Sequence, residues 1–172
     1  MTQQQPFTVM QAYPDFELRQ YPQHVLVQVS VDGDFAGGAN LGFRPLFRYI
    51  TGDNQDSTKF SMTAPVIQEE TGPASQVVSF VLPEGVDVTT VPLPRDNSVS
   101  IKRVEPHQAA VQTFAGGWNE RRFRERAEAL LRAVHQAGLS PVGSPYFARF
   151  DPPWKPGFLK HNEVLVRVTT PA

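Results

Sequence analysis

Cysteine is absent from the 172 residues of this chain. Its absence removes disulfides, thiolate metal sites and a cysteine nucleophile together, and it fits a reducing compartment. Net charge is nearly absent as well: 16 basic and 17 acidic residues leave -1 at pH 7, with a pI near 6.4. No global field draws the chain to nucleic acid or an anionic membrane, so neither is an expected partner. Long apolar runs are missing, since no stretch reaches the ~18 residues of a membrane span. The opening MTQQQPFTVMQAYP has no basic region followed by an apolar one, so it does not read as a signal peptide. These absences point to a soluble cytoplasmic protein without membrane insertion. Neither G-x-S-x-G nor H-E-x-x-H occurs, so the common nucleophile and zinc-hydrolase signatures are missing too.

What is present is an internal duplication at a period of about 83 residues. It pairs Leu18 with Ile101, Arg19 with Lys102, His24 with His107, Ser30 with Thr113, Val31 with Phe114 and Gly33 with Gly116. After one further residue of slip, Ala39, Phe43, Leu46, Phe47 and Ile50 match Phe123, Ala127, Leu130, Leu131 and Val134. Both sets have the i, i+4, i+7, i+8, i+11 spacing of one helix face. Each half therefore reads as strand, strand, helix, strand, strand. The length suits one domain over residues 1–172, with half one at about 13–83, a proline-rich connector at 84–97 and half two at about 98–170. Two such halves are expected to bury their apolar faces against each other, and a seam of that kind is a natural ligand site.

Along the chain, FELRQYPQHVLVQVSV alternates across Tyr21-Pro22 and predicts two strands joined by a tight turn. Asp34 is the expected cap of the first helix, whose Gly37, Gly38 and Gly42 let another group approach closely. Lys59 to Val66 reads as a strand with Phe60, Met62 and Ala64 on one face and Lys59, Ser61 and Thr63 on the other. It leads into a strand pair turned at Thr71-Gly72-Pro73. The second helix is expected from about Asn119 to Gln136, capped by Asn119 and stopped at Gly138. Its Arg121, Arg122, Arg124, Arg126 and Arg132 alternate with Glu120, Glu125 and Glu128, which is a self-paired solvated face.

Two segments carry chemistry. Met62, polarizable and adaptable, either fills a core gap or lies against a flat apolar ligand. Asp151 to Val164, DPPWKPGFLKHNEV, sets Trp154, Phe158 and Leu159 beside Lys155, Lys160 and His161. That combination suits either a packed loop or an apolar lid whose cations meet carboxylates. Among the histidines, His24 and His107 fall at equivalent turns, which favours structural roles, and His135 lies late in a helix where a cation meets the dipole.

At these segments the chain resembles the SOUL family of haem-binding proteins. The likeness rests on FELRQY (Phe16 to Tyr21), MTAPV (Met62 to Val66) and YFARFDPPWKPGFLKHNEV (Tyr146 to Val164), and runs from about Tyr13 to Val168. The resemblance implies an α+β fold, a distorted antiparallel β-barrel of two pseudo-symmetric ββαββ halves with two helices packed outside. It also implies non-covalent binding of haem b or another tetrapyrrole in a hydrophobic cleft with a basic rim, as a carrier, buffer or sensor. By position, the resemblance assigns Met62, with Phe43, Phe47 and Arg48 of the first helix face, to the ligand cleft; Arg44, Arg48, Lys59 or Lys160 are the candidate partners of the carboxylates, and Trp154 and Phe158 join the binding set as the apolar lid. Where some members carry a histidine proposed as iron ligand, this chain has Gln20, a poor ligand. His161 is the remaining candidate for an axial ligand. Two other functions compete. One is a small-molecule hydrolase or regulatory domain of the bacterial GyrI-like type, with Glu163, His161 and Tyr49 as acid-base groups. The other is a protein-interaction module using the same cleft. In either case Glu163 has the alternative of a buried carboxylate bonded to backbone amides.

Overall fold

The computed structural model describes residues 2–117, 119–151 and 155–169. Its elements in chain order are β1 (Gln3–Gln4), β2 (Thr8–Ala12), β3 (Glu17–Tyr21), β4 (His24–Asp32), α1 (Phe35–Ile50), β5 (Thr63–Ala64), β6 (Val66–Gly72), β7 (Ser75–Val81), β8 (Val99–Val104), β9 (His107–Ala115), α2 (Glu120–Gln136), β10 (Ser140–Arg149) and β11 (His161–Thr169). A 3-10 turn, Gly157–Leu159, precedes β11. The fold is α+β, with a large antiparallel sheet and two helices as expected, and one short parallel pair besides.

The chain forms two compact units, one from the amino-terminal residues up to Gln5 with Gln23–Glu105, the other from Pro6–Pro22 and the residues from Pro106 onward. In the first unit the antiparallel order is β6-β7-β4-β8, and β1 runs parallel to β5. Helix α1 lies on β4 and β7. Val27, Leu46, Tyr49 and Val78 form the centre of its core, each almost fully buried. In the second unit the order is β2-β3-β9-β11-β10, and α2 packs on β9, β10 and β11. Its core is aromatic: Phe123 meets Phe114 and Phe147 edge-on, with centroids 4.9 and 5.0 Å apart. Edge-to-face contact suits the ring quadrupoles.

Strands β3 and β4 are not the hairpin expected around Tyr21-Pro22. β3 pairs with β2 and β9, and β4 with β7 and β8. Each half thus gives its first strand to the other half's unit. The register keeps the duplication: His24 opposes Val104 and Leu26 opposes Lys102, as His107 opposes Tyr21 and Ala109 opposes Arg19. Adding about 83 to one member and subtracting it from the other converts each pair into its counterpart. Alternation revealed that these segments are strands, but it carries no information about their neighbours.

A second difference concerns Lys59 to Met62, which are outside any strand; pairing begins at Thr63. Thr63 and Ala64 are both buried, so the expected division into two faces does not hold there. The Thr63 hydroxyl donates to the carbonyl of Val81, which satisfies the buried oxygen. Strand β2, charge-free and short, has no counterpart in the expected strand pattern.

Candidate functional site

Helix α1 begins where the Asp34 carboxylate accepts the Gly37 N–H at 2.7 Å, satisfying one of the free amides of the first turn. Its glycines serve the sheet beneath. A Cβ on Gly42 would lie 2.6 Å from the Val78 side chain, and one on Gly38 would lie 2.6 Å from Cγ of Gln76. The close approach made possible by Gly38 and Gly42 is therefore that of β7. Gln76 is itself buried and accepts from Gln68 Nε2 at 3.0 Å, while the same Gln68 amide donates to Phe35 O at 2.7 Å.

With the backbone held this low, the predicted apolar face divides. Ala39, Leu46 and Ile50 point into the core, whereas Phe43 and Phe47 remain 41% and 46% exposed. Their rings stack at 5.8 Å with an interplanar angle of 14°. Phe43 also meets the edge of buried Phe80 at 5.2 Å, so an aromatic layer runs from core to surface. At the matching positions α2 carries Ala127 and Leu131, both partly buried. Helix α1 thus has larger rings, more exposed, where its counterpart has small or aliphatic side chains.

Arg44 and Arg48 follow the two phenylalanines and are exposed. Arg48 lies 3.9 Å from Asp96, whose carboxyl is held below its usual range by the hydroxyl and amide of Ser98. Lys59 is also exposed, in the loop after α1. Met62 is partly buried against the core of the first unit, together with Phe60. Phe60 stacks on Tyr49 at 5.9 Å. The Tyr49 hydroxyl donates to Pro92 O at 2.6 Å, and burial pushes the phenol up to about 12. The Tyr49 proton is thus engaged with a backbone carbonyl inside the core of the first unit.

In the second unit, Trp154 lies outside the described residues. Phe158 is 78% exposed and Leu159 54% exposed. The loop that carries them is tied to the turn after β9: Gly116 N donates to Lys160 O at 3.2 Å, and a Cβ on Gly157 would stand 3.3 Å from the Gly117 backbone. Lys155 pairs with Asp151 at 2.6 Å, and the half-buried Lys160 donates its amide to Gly157 O.

Beside this loop stands a buried ionic cluster. Arg19 and Glu163, 5% and 3% exposed, form an ion pair at 2.8 Å. Arg19 Nε also binds Glu17 at 2.9 Å, its Nη1 binds the Tyr21 hydroxyl at 3.2 Å, and its guanidinium covers the Phe7 ring at 3.9 Å. Burial works against the Arg19 charge, but Glu163 and Tyr21 outweigh it and hold the guanidinium above its ordinary value. Burial, with the nearby Glu163 charge, raises the Tyr21 phenol. Of the alternatives for Glu163, a buried carboxylate bonded to backbone amides matches in burial but not in partners, which are Arg19 and, at 3.4 Å, the Thr113 hydroxyl. His161, its side chain 45% exposed, sits 3.7 Å from Glu163 and edge-on to Phe150 at 4.6 Å. Gln20 uses its amide to donate to His107 O at 3.2 Å. His107 stacks on Tyr21 at 5.5 Å, and His24 lies 3.3 Å from the Gln5 amide.

Sequence reasoning missed Arg19. Its one signal was a cation inside an otherwise half-buried strand pattern, the same signal carried by exposed surface residues. Phe80 was missed as the inner end of the aromatic layer.

Comparison with known proteins gives a family and a fold. A family model described as "SOUL heme-binding protein" matches residues 2–167. No curated protein matches the sequence. Among solved structures, the EcmrR C-terminal domain is similar at a TM-score of 0.69 and 13% identity, over 90% of this chain and 96% of that one. A hydrolase from Listeria innocua is similar at 0.60 and 11% identity, over 93% and 94%. An uncharacterized protein from Listeria innocua is similar at 0.57 and 12%, over 88% and 92%. At these identities the likeness is one of fold.

Proposed function

The chain belongs to the SOUL heme-binding protein family, and from that premise we propose that it is a non-covalent tetrapyrrole-binding protein, a carrier, buffer or sensor of haem, whose ligand lies against the outer face of α1. The observation that carries this reading is the exposed stack of Phe43 and Phe47 with a cation following each ring. Two nearly parallel rings backed by Phe80 present a rigid, flat, apolar surface, which complements a macrocycle face. Arg44 and Arg48 supply planar donors for two carboxylate tails. Covering about 200 Å² of apolar surface contributes about 5 kcal/mol, and the arginines add to it against the entropy of association.

This face holds the macrocycle and its carboxylates; the bound haem would supply its own iron chemistry. The donor set on α1 is aromatic and guanidinium, with no histidine. Protoporphyrin without iron should therefore bind about as well as hemin. The test is a spectral titration of the purified protein with both. Binding of both below about tens of micromolar, with affinities within about threefold, supports the reading. Failure of both to bind would remove it.

A further inference from the structure

Given the tetrapyrrole reading of the α1 face, on which this rests, we propose that Asp96 is a specificity-determining residue of that site, an internal carboxylate that occupies Arg48 and makes the face discriminate among tetrapyrroles by their number of carboxylates. Arg44 and Arg48 stand one turn apart on the same side of α1, yet their surroundings differ. Arg48 Nη2 lies 3.9 Å from Asp96 Oδ2. Arg44, also exposed, meets no carboxylate among the described residues. One of the two guanidinium groups is therefore open to a ligand, and the other already has an anion beside it.

Asp96 is held from its own side. Its Oδ1 accepts the Ser98 amide at 2.9 Å and the Ser98 hydroxyl at 2.6 Å, which leaves Oδ2 for Arg48. These bonds favour the ionised form and keep the carboxyl below its usual range, so the negative charge persists wherever the ligand's own carboxylates are ionised. The backbone around Asp96 is tied down as well. Its carbonyl accepts the Val99 amide at 3.1 Å, and the connector leading to it is bound through Pro92 O to the Tyr49 hydroxyl of α1 at 2.6 Å and through Leu93 O to the Gln55 amide at 3.0 Å. Arg48, with its side chain 57% exposed, is the member of the pair that moves. A ligand with one carboxylate is met by Arg44 alone. A second carboxylate has to draw Arg48 away from Asp96 and then lies near that fixed negative charge, so the new ion pair is offset by loss of the old one.

Fluorescence titrations of wild type, Asp96→Asn, Arg48→Gln and the double variant with protoporphyrin, its monomethyl ester and its dimethyl ester test this, with a thermal melt of each protein. Asparagine keeps an oxygen to accept from Ser98, so the turn before β8 is retained. Asp96→Asn should bind protoporphyrin about twofold to fivefold more tightly than wild type, the range expected for release of one exposed ion pair. The gain should shrink with the monomethyl ester and vanish with the dimethyl ester. It should also vanish in the Arg48→Gln background, because a double-mutant cycle isolates the coupling of the two side chains. Where wild type binds protoporphyrin, an Asp96→Asn affinity equal to wild type, an equal gain for the dimethyl ester, or the same gain in the Arg48→Gln background would each overturn this inference and leave the tetrapyrrole reading standing. Wild type that binds none of the three ligands would remove that reading, and this inference with it.

Discussion

Arg19 and Glu163 stand 144 positions apart in sequence, yet their side chains meet at 2.8 Å with each almost wholly out of water. The pair joins β3 to β11 through side chains, and Glu17, Tyr21 and Thr113 complete its hydrogen bonds. Removing one member of a buried pair leaves the other charge uncompensated, which is costlier than replacing both.

Glu163→Gln should therefore destabilise the protein by about 3 kcal/mol, while Arg19→Met with Glu163→Leu should restore stability to within about 1 kcal/mol of wild type. Urea unfolding of the three proteins measures this. Equal losses in the single and double variants would mean that the pair itself is net stabilising.

Helix α1 lies on its sheet at a separation that glycine alone permits at Gly42. An alanine gains about 1 kcal/mol of helix propensity but forces its methyl into Val78, whose nearest atoms would be 2.6 Å away. Gly42→Ala should lose about 2 kcal/mol net. Gly37→Ala, whose methyl would stand 2.9 Å from the capping Asp34 Oδ1, trades part of the cap for helix propensity and should come out close to neutral. Thermal melts of both compare them directly.

Most of the element pattern was legible before any coordinates. The caps Asp34 and Asn119 accept the amides expected of them, and Gly138, at φ 77°, ends α2 in the left-handed conformation that glycine adopts without strain. The duplication was legible because it is local in each half. The exchange of β3 and β8 was not, because a strand's own alternation is the same whichever strand lies beside it. Arg19 stayed hidden for a related reason: its partner is 144 residues away, and one cation in a strand pattern looks like a surface residue. At the candidate site, the period of α1 placed Phe43 and Phe47 with Leu46 on one face. It did not tell that Gly38 and Gly42 lower the helix until Leu46 is buried and both rings remain outside.

The alkaline limit of stability should depend on the buried phenols. Tyr49 is pushed up to about 12 from an ordinary value of 10.0. Its stabilising contribution is fully present below pH 10 and is lost as pH rises through 12. Tyr21, shifted in the same direction, extends the loss further. Tyr49→Phe should cost about 1–2 kcal/mol near neutrality by leaving Pro92 O without its donor. It should also make the decline in urea midpoint between pH 9 and 11.5, about one unit below and 1.5 above the ordinary value, shallower than in wild type. An unchanged alkaline slope would mean that Tyr49 does not titrate in this window.

The arginines beside the aromatic stack should act through ligand carboxylates. Arg44→Glu with Arg48→Glu should weaken protoporphyrin binding about threefold to tenfold, the range expected for exposed charges. Binding of the dimethyl ester, which has no carboxylates, should change little. Fluorescence titrations of the two ligands with each protein separate charge pairing from loss of structure.

The most direct measurement for the tetrapyrrole reading is the hemin affinity of Phe43→Ala with Phe47→Ala, followed by absorption and accompanied by a thermal melt. Both rings are nearly half exposed, so the account predicts a folded protein whose binding is at least about tenfold weaker. Wild-type affinity in that folded double variant would contradict a ligand face on α1.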